Sequence, residues 1–414
     1  MYNANGILFV FSRGEVLRNL NVDKLYQFLL ITLAFLLPLT VFGANLVIVL
    51  ICILWFVSGD YKSKFIQIIN NKLMIASILF YVIHIIGLIW TEDMAWGLHI
   101  AHKMWYFIGL LPILFTIVKK NHIKYYVSSF LIAISITEVT SYLIWFELIE
   151  PFDGVTVKNP TPFMSSVSYN PILAFATYIV LHELFFNKSI KNLLFLYYII
   201  LAFSMSVNMF ITGGRAGQIG FFIMIAILIF QFFDKQKIKA LLVICIVIPG
   251  IFSIAFLASD IFQERFYLAI NETINYSENV RSAVGARINF TINSLYVIFE
   301  NPIIGVGTGD FPIEYAKVNA INSPELYGVT NPHNMYILVA TQLGVVGLLS
   351  MLSIFYFQLK LSSNSSNKFL QDTGFALPIM FLVMMISESY LLGHFTSLMF
   401  VFFSSFLYKD FEKY

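Results

Sequence analysis

Uninterrupted apolar runs recur from one end of this chain to the other with only short polar breaks between them, and they limit its folds more than any other feature. A run of about 20 apolar residues, wound as a helix, crosses a hydrocarbon core of roughly 30 Å. Water could not accommodate so many of them, because 59% of the 414 residues are hydrophobic and only 12% are charged. That is about half the charge of an ordinary soluble domain. The expected fold class is an all-α polytopic membrane protein. Breaks at charged, Gly and Pro residues give about 12 transmembrane helices, at 25–41, 43–58, 73–90, 99–118, 125–148, 170–187, 192–210, 215–233, 239–258, 332–358, 373–389 and 391–408.

Orientation follows from the basic residues of the short loops, which are retained on the cytoplasmic side. Alternate loops and tails hold Arg13, Arg18 and Lys24; Lys62, Lys64 and Lys72; Lys119, Lys120 and Lys124; Lys188 and Lys191; Lys235, Lys237 and Lys239; Lys360 and Lys368; and Lys409 and Lys413. Both termini are therefore expected in the cytoplasm. The opposite side holds only Lys103, Lys158, Arg215, Arg265, Arg281, Arg287 and Lys317, so of 25 basic residues 18 face inward and 7 outward. Lys suffices for topology, whereas the planar fork of Arg matches phosphate and carboxylate. The outward arginines are the first candidates for ligand binding.

The segment 259–331 is too polar to span. It reads as a small helical subdomain on the outward, periplasmic side between spans nine and ten, dividing the chain into 1–258, 259–331 and 332–414. A second outward loop covers 149–169. Cys52 and Cys245 both fall inside spans, so no disulfide framework is implied.

Three stretches carry chemistry. In Asn331-Pro332-His333-Asn334, Asn331 suits an N-cap and Pro332 the first helical position, which puts His333 in the first turn of span ten. A helix dipole there favours an anion and a neutral imidazole, as a general base requires; the same residues also suit an interfacial His that only caps or packs. In Thr212-Gly213-Gly214-Arg215-Ala216-Gly217, a cation opens span eight against the dipole, a placement that a bound phosphate would compensate. A snorkelling Arg is the other reading of Arg215. Arg281 and Arg287 are six residues apart, so only one of them is expected to point into a shared site. The alternating Gly305, Gly307 and Gly309 match neither a Walker loop nor a dinucleotide fingerprint and mark a tight turn. Lys103, Arg281 and Asn334 are further candidates on this face.

The order Gly213-Gly214-Arg215-Ala216-Gly217, Arg287, Asn301-Pro302 to Gly305-x-Gly307-x-Gly309-x-Phe311, His333-Asn334 and Gly344-x-x-Gly347 resembles the O-antigen ligase and polymerase superfamily across about residues 205–350. The resemblance implies an enzyme of the bacterial inner membrane that takes a glycan from an undecaprenyl diphosphate carrier and passes it to a lipid A-core or growing glycan acceptor. It implies His333 as the catalytic His and Arg215 and Arg287 as residues holding the lipid diphosphate. Gln342 departs from the pattern, standing where many members carry Glu, which puts an acid role there in question. Within the superfamily, ligase, polymerase and protein O-oligosaccharyltransferase use similar donors. Ligation leads, because the outward segment of 259–331 ends in the His motif.

The chemistry agrees with the residues. Expulsion of a diphosphate needs cations where negative charge develops, and no metal or other cofactor is required. The outward face shows no DxD-like pair and no metal-spaced His/Cys cluster. Transfer is then metal-independent, and inverting if it occurs by a single displacement. Partners are the lipid-linked donor, the acceptor and membrane lipid, with no nucleic acid. The rival class is a transporter, for which Glu138 and His84 inside spans are the candidate residues. If His333 is not the base, Glu150 and Asp153 in the loop 149–169 come next.

Overall fold

The computed structural model describes residues 22–276 and 279–412; Arg13, Arg18 and Lys413, counted above on the cytoplasmic side, lie outside the described residues. The first half forms α1 (Val22–Leu36), α2 (Val41–Val57), α3 (Tyr61–Ile69), α4 (Lys72–Gly87), α5 (Met94–Trp105), α6 (Leu111–Ile117), α7 (Ile123–Trp145), α8 (Ser166–Phe186) and α9 (Asn192–Ile211). The second half forms α10 (Arg215–Phe232), α11 (Lys237–Ala258), α12 (Asp260–Ile274), α13 (Ala283–Glu300), α14 (Phe311–Asn322), α15 (Met335–Ser363), α16 (Lys368–Met384) and α17 (His394–Leu407). A π-helical turn, Tyr106–Leu110, joins α5 to α6. Polar residues at the breaks start several helices by capping: the Asn71, Asp93, Asn334 and Asn367 side chains each accept a first-turn N–H.

Each of the twelve expected spans overlaps a helix, but the helices are unequal. Seven helices among the described residues are long and apolar enough to cross a membrane unaided, or up to eight if the bent pair α2 and α3 forms one span. The remaining segments include α1, α16 and α17, of 15, 17 and 14 residues, too short for that test. They include α8, which is sheathed by protein from Tyr169 to Val180. By contrast, α11 buries only Ala240 and Ala255 and presents Leu241, Leu242, Ile246, Ile254 and Leu257 outward. An apolar surface of that kind needs lipid as its solvent. The chain is a multi-pass membrane protein.

Between α2 and α3 the chain bends by 115°. Lys64 of α3 returns its ammonium to the Trp55 carbonyl at 2.9 Å and the Ser58 hydroxyl at 2.7 Å, which fixes the bend. The segment 259–331 is helical as expected. Its α13 and α14 enclose a small core of Phe290, Phe311, Tyr315 and Leu326 that closes on Leu338 of α15.

The glycine turn 305–309 is a strap docked into a broken helix. At Gly344 the backbone of α15 leaves helical geometry, with φ 61° and ψ −158°. The opened turn bonds to the strap instead: Val306 and Gly307 N–H donate to the Thr341 and Gln342 carbonyls at 3.0 and 2.9 Å, and Val345 and Val346 N–H donate to Pro302 and Ile303 at 2.8 and 3.2 Å. Thr308 N–H reaches the Gly87 carbonyl of α4, and the Thr308 hydroxyl donates to His84 O at 2.7 Å. Asp310 accepts from Glu92 and Asp93 N–H at 2.8 and 2.9 Å.

A Cβ at Gly344 would overlap the Ile303 carbonyl and occupy a backbone region reserved for glycine. Gly344→Ala is expected to cost about 1–3 kcal/mol from backbone conformation alone, read as lost abundance and lowered thermal stability of the detergent-purified protein. Reporter fusions test the orientation independently: a fusion at Asn322 should read as periplasmic and one at Lys237 as cytoplasmic, and the opposite pattern would invert the assignment.

Candidate functional site

Many helix ends meet at the end of the bundle that carries α12–α14: the starts of α5, α8, α10, α15 and α17 and the close of α16. The start of α15 differs from the expectation. The helix begins at Met335 and its cap is Asn334, whose Oδ1 accepts the Tyr336 and Ile337 N–H groups at 3.0 and 3.1 Å. His333 therefore precedes the helix instead of lying in its first turn. Proline at the preceding position leaves Asn331 free to make a tight turn, and Asn331 Oδ1 accepts the His333 N–H at 2.9 Å. His333 itself takes φ 53°, a left-handed conformation that a side-chain-bearing residue adopts only when its surroundings impose it.

Glu388 is the imposing group. Its Oε2 lies 2.7 Å from His333 Nδ1, and its Oε1 accepts the Ser389 N–H at 2.9 Å. Asn331 spans both partners, accepting from Ser389 Oγ at 2.8 Å. The His333 ring stacks on Phe290 of α13, centroids 6.3 Å apart. A proton on Nδ1 donated to the carboxylate leaves the lone pair on Nε2, which is the arrangement a general base needs. Carboxylate pairing, and not a place in the first helical turn, orients this imidazole.

Glu388 is largely enclosed. Desolvation, the largest influence on its acidity, pushes its pKa up. The hydrogen bonds from His333 and Ser389 and the electrostatic influence of His333 and Arg287 together outweigh it, so the carboxyl is held below its ordinary value. Arg287 thus lies close enough to act on Glu388, and it also acts on Tyr390. One helical turn separates Arg287 from Phe290, so one face of α13 presents a cation and the ring under His333.

Of the two arginines on this segment, Arg287 is near the pair. Arg281 is exposed, and its Nε donates to the Glu325 carbonyl at 3.1 Å. Lys103 of α5 lines a cavity of about 270 Å³ together with Asn331, Glu388 and Ser389. Arg215, at the first position of α10, is paired with Glu272 of α12 at 3.4 Å. Gly214 abuts Ser166 O and Asn170 at the start of α8, whose Val167 and Ser168 line that same cavity, which places Arg215 beside the cavity but not in its wall. Asn334 is occupied with capping. Gln342 is buried and donates to Thr308 O, a strap contact remote from acid chemistry. Glu150 and Asp153 are exposed.

The residues that suggested transport have structural partners: Glu138 accepts from Ser204 Oγ at 2.8 Å, and His84 Nδ1 lies 2.8 Å from the Phe80 carbonyl. Among the described residues no three His, Cys, Asp or Glu side chains gather into a metal-holding group.

The family model described as O-antigen ligase matches residues 200–352. This stretch is thus similar to the O-antigen ligase family. Over 340 residues the chain is also 26% identical to an uncharacterised protein of Haemophilus influenzae, covering 78% of this chain and 81% of that protein. The O-antigen ligase match contains Arg215, Arg287, the strap and His333, whereas Lys103 and Glu388 lie outside it and reach the site through the fold. Sequence reasoning missed Glu388; its one signal was an acid closing the apolar run 373–387, next to a serine and a tyrosine.

The depressed pKa of Glu388 carries a sign. A carboxyl held low contributes stability that is complete above its unfolded pKa, roughly 4.3, and is lost as pH falls through the folded value. Melting temperature should therefore hold between neutral pH and about 5 as far as this group is concerned, and decline below the ordinary Glu range. Differential scanning fluorimetry should show a shallower acid limb in Glu388→Gln than in the parent.

Proposed function

We propose that the chain is a glycosyltransferase that moves a glycan from an undecaprenyl diphosphate carrier to an acceptor on the periplasmic face of the bacterial inner membrane, with ligation to lipid A-core as its reaction. The supporting observation is the His333–Glu388 pair, with Arg287 acting on Glu388 and Glu388 lining a cavity, in a chain whose 200–352 stretch matches the O-antigen ligase family model.

In this reading the acceptor hydroxyl oxygen bonds to the anomeric carbon while the bond from that carbon to the diphosphate oxygen breaks. The hydroxyl proton passes to His333 Nε2, and the lipid diphosphate leaves with the electron pair. A single displacement of this kind inverts the anomeric centre. Arg287 offsets the charge that develops on the leaving diphosphate. Arg215 serves the same anion once Glu272 releases it. Glu388 holds the imidazole by Nδ1 and stabilises the imidazolium that forms, so that removing its charge weakens the base without removing it. The chain's own cations perform the neutralisation that other transferases assign to a divalent ion, and transfer is expected to survive excess chelator.

The surface glycan of a deletion strain tests the acceptor. Lipid A-core without polymer supports ligation; core bearing one repeat unit indicates a polymerase, and unglycosylated target protein with normal lipopolysaccharide indicates a protein transferase. In a reconstituted assay at equal protein, His333→Ala should lower turnover by about 10²–10⁴-fold while the donor still binds. Glu388→Gln should lower it less, and the double variant should fall no further than His333→Ala. Arg287→Lys should impair transfer although charge is kept, because bidentate geometry is lost. Near-parental turnover in His333→Ala would move the base elsewhere.

A further inference from the structure

A second cavity adjoins the first. It is a groove of about 760 Å³ between α2 on one side and α5 with the start of α17 on the other. Its floor is a single helical stripe of α2, Asn45, Ile48, Val49, Cys52, Ile53 and Phe56, at steps of three and four residues. Eleven residue rises make this stripe about 16 Å long, roughly half of a hydrocarbon core. Val49, Ile53 and Phe56 are exposed on it.

The groove is apolar along its floor and cationic where it meets the small cavity. Lys103, Leu392 and Gly393 line both spaces, so the two share a wall that includes Lys103. Lys103 lies nine residues after the start of α5, within the continuous helical stretch Met94–Ile117 that is of membrane-crossing length, and no ion pair or hydrogen bond engages it among the described residues. A cation there is costly unless it serves an anion. The wall opposite α2 adds two features: Gly393 caps α17 without a side-chain acceptor, and His394 Nδ1 lies 3.0 Å from Tyr106 Oη while its Nε2 is shielded and unpartnered.

We propose that this groove is the track for the hydrocarbon chain of a single-chain lipid phosphate, with Lys103 holding the phosphate at the junction with the Glu388 cavity. The inference rests on the proposed function and deepens it: the lipid carrier enters between α2 and α5, and its phosphate reaches the side of Glu388 and His333 through Lys103. A stripe confined to one face of one helix, with a single ammonium at its end, suits one chain and one phosphate, whereas a lipid with several acyl chains needs a broader bed. The ammonium supplies a point charge for phosphate where the segments before α15 and after α16 supply the base and the carboxylate.

The test uses the full chain in nanodiscs with a photoreactive benzoylphenylalanine at position 53, in the groove, or at position 246, on the lipid-facing side of α11. The probe is a long-chain polyisoprenyl phosphate, and attachment is read by mass spectrometry. Position 53 should label with the probe and position 246 should not. Excess unlabelled polyisoprenyl phosphate should compete, while excess phosphatidylglycerol, the diacyl source of the same phosphate chemistry, and polyisoprenol should not. Lys103→Gln should cut labelling by about tenfold, the loss of one charge-assisted contact, and Lys103→Arg should restore most of it.

Equal labelling at 53 and 246, equal competition by phosphatidylglycerol, or indifference to Lys103→Gln would each overturn the proposal. Transfer without labelling at 53 removes the groove and leaves the enzyme; labelling at 53 in a protein inactive toward every acceptor leaves the groove and removes the enzyme.

Discussion

The backbone exchange between the strap 302–309 and the opened turn of α15 is the interaction on which the rest of the site end depends. In a membrane-crossing helix a broken turn leaves N–H and C=O groups that lipid cannot satisfy. Here the strap satisfies them, and only glycine permits both the conformation at Gly344 and the approach of the two backbones at Gly305. The same strap is pinned to α4 through Thr308 and to the start of α5 through Asp310. It therefore sets the height of α13, which ends where the strap begins, and with it the positions of Phe290 and Arg287 relative to His333.

From that frame the electrostatics follow. Glu388 lies on the segment between α16 and α17, His333 just ahead of α15 and Arg287 on α13, so three separate elements must be placed before the pair and its cation exist. Met335 N–H donates to the Met385 carbonyl at 2.9 Å, tying the first and second of these segments directly. The left-handed backbone of His333 is stabilised by Asn331 beneath it and the carboxylate beside it. Strain of this kind persists only where several contacts over-determine a residue, and here they aim Nε2 away from Glu388.

A buried polar chain supports the neighbouring arginine. Asn170 Nδ2 donates to Gly214 O at 3.3 Å, Thr212 Oγ1 donates to Asn170 Oδ1 at 3.0 Å, and Asn159 Oδ1 accepts the Gly213 N–H at 2.8 Å. Gly217 packs directly on Asn170, which no larger residue could do. These contacts hold the turn before α10 rigid while the Arg215 side chain, paired with Glu272, keeps an exchangeable partner.

The length and spacing of apolar runs were enough to read an all-helical, multi-pass membrane protein, because a span's length is set by bilayer thickness and needs no partner to declare it; how many of the twelve runs cross the bilayer unaided they did not settle, since seven helices among the described residues, or up to eight, are long and apolar enough to do so. Local signals also marked Arg215, Arg287 and His333 and placed the glycine turn between α13 and α14. Tertiary structure decided what those signals could not. Which helices face lipid and which, like α8, are wrapped by protein depends on neighbours far away in the chain. That His333 stands outside its helix depends on Asn334 winning the cap, a competition between two adjacent asparagines that local pattern leaves even. That its partner is Glu388, 55 residues later, and that Lys103 joins them from 230 residues earlier, follows from packing alone, since a carboxylate at the end of one apolar run carries no mark of the imidazole it will meet.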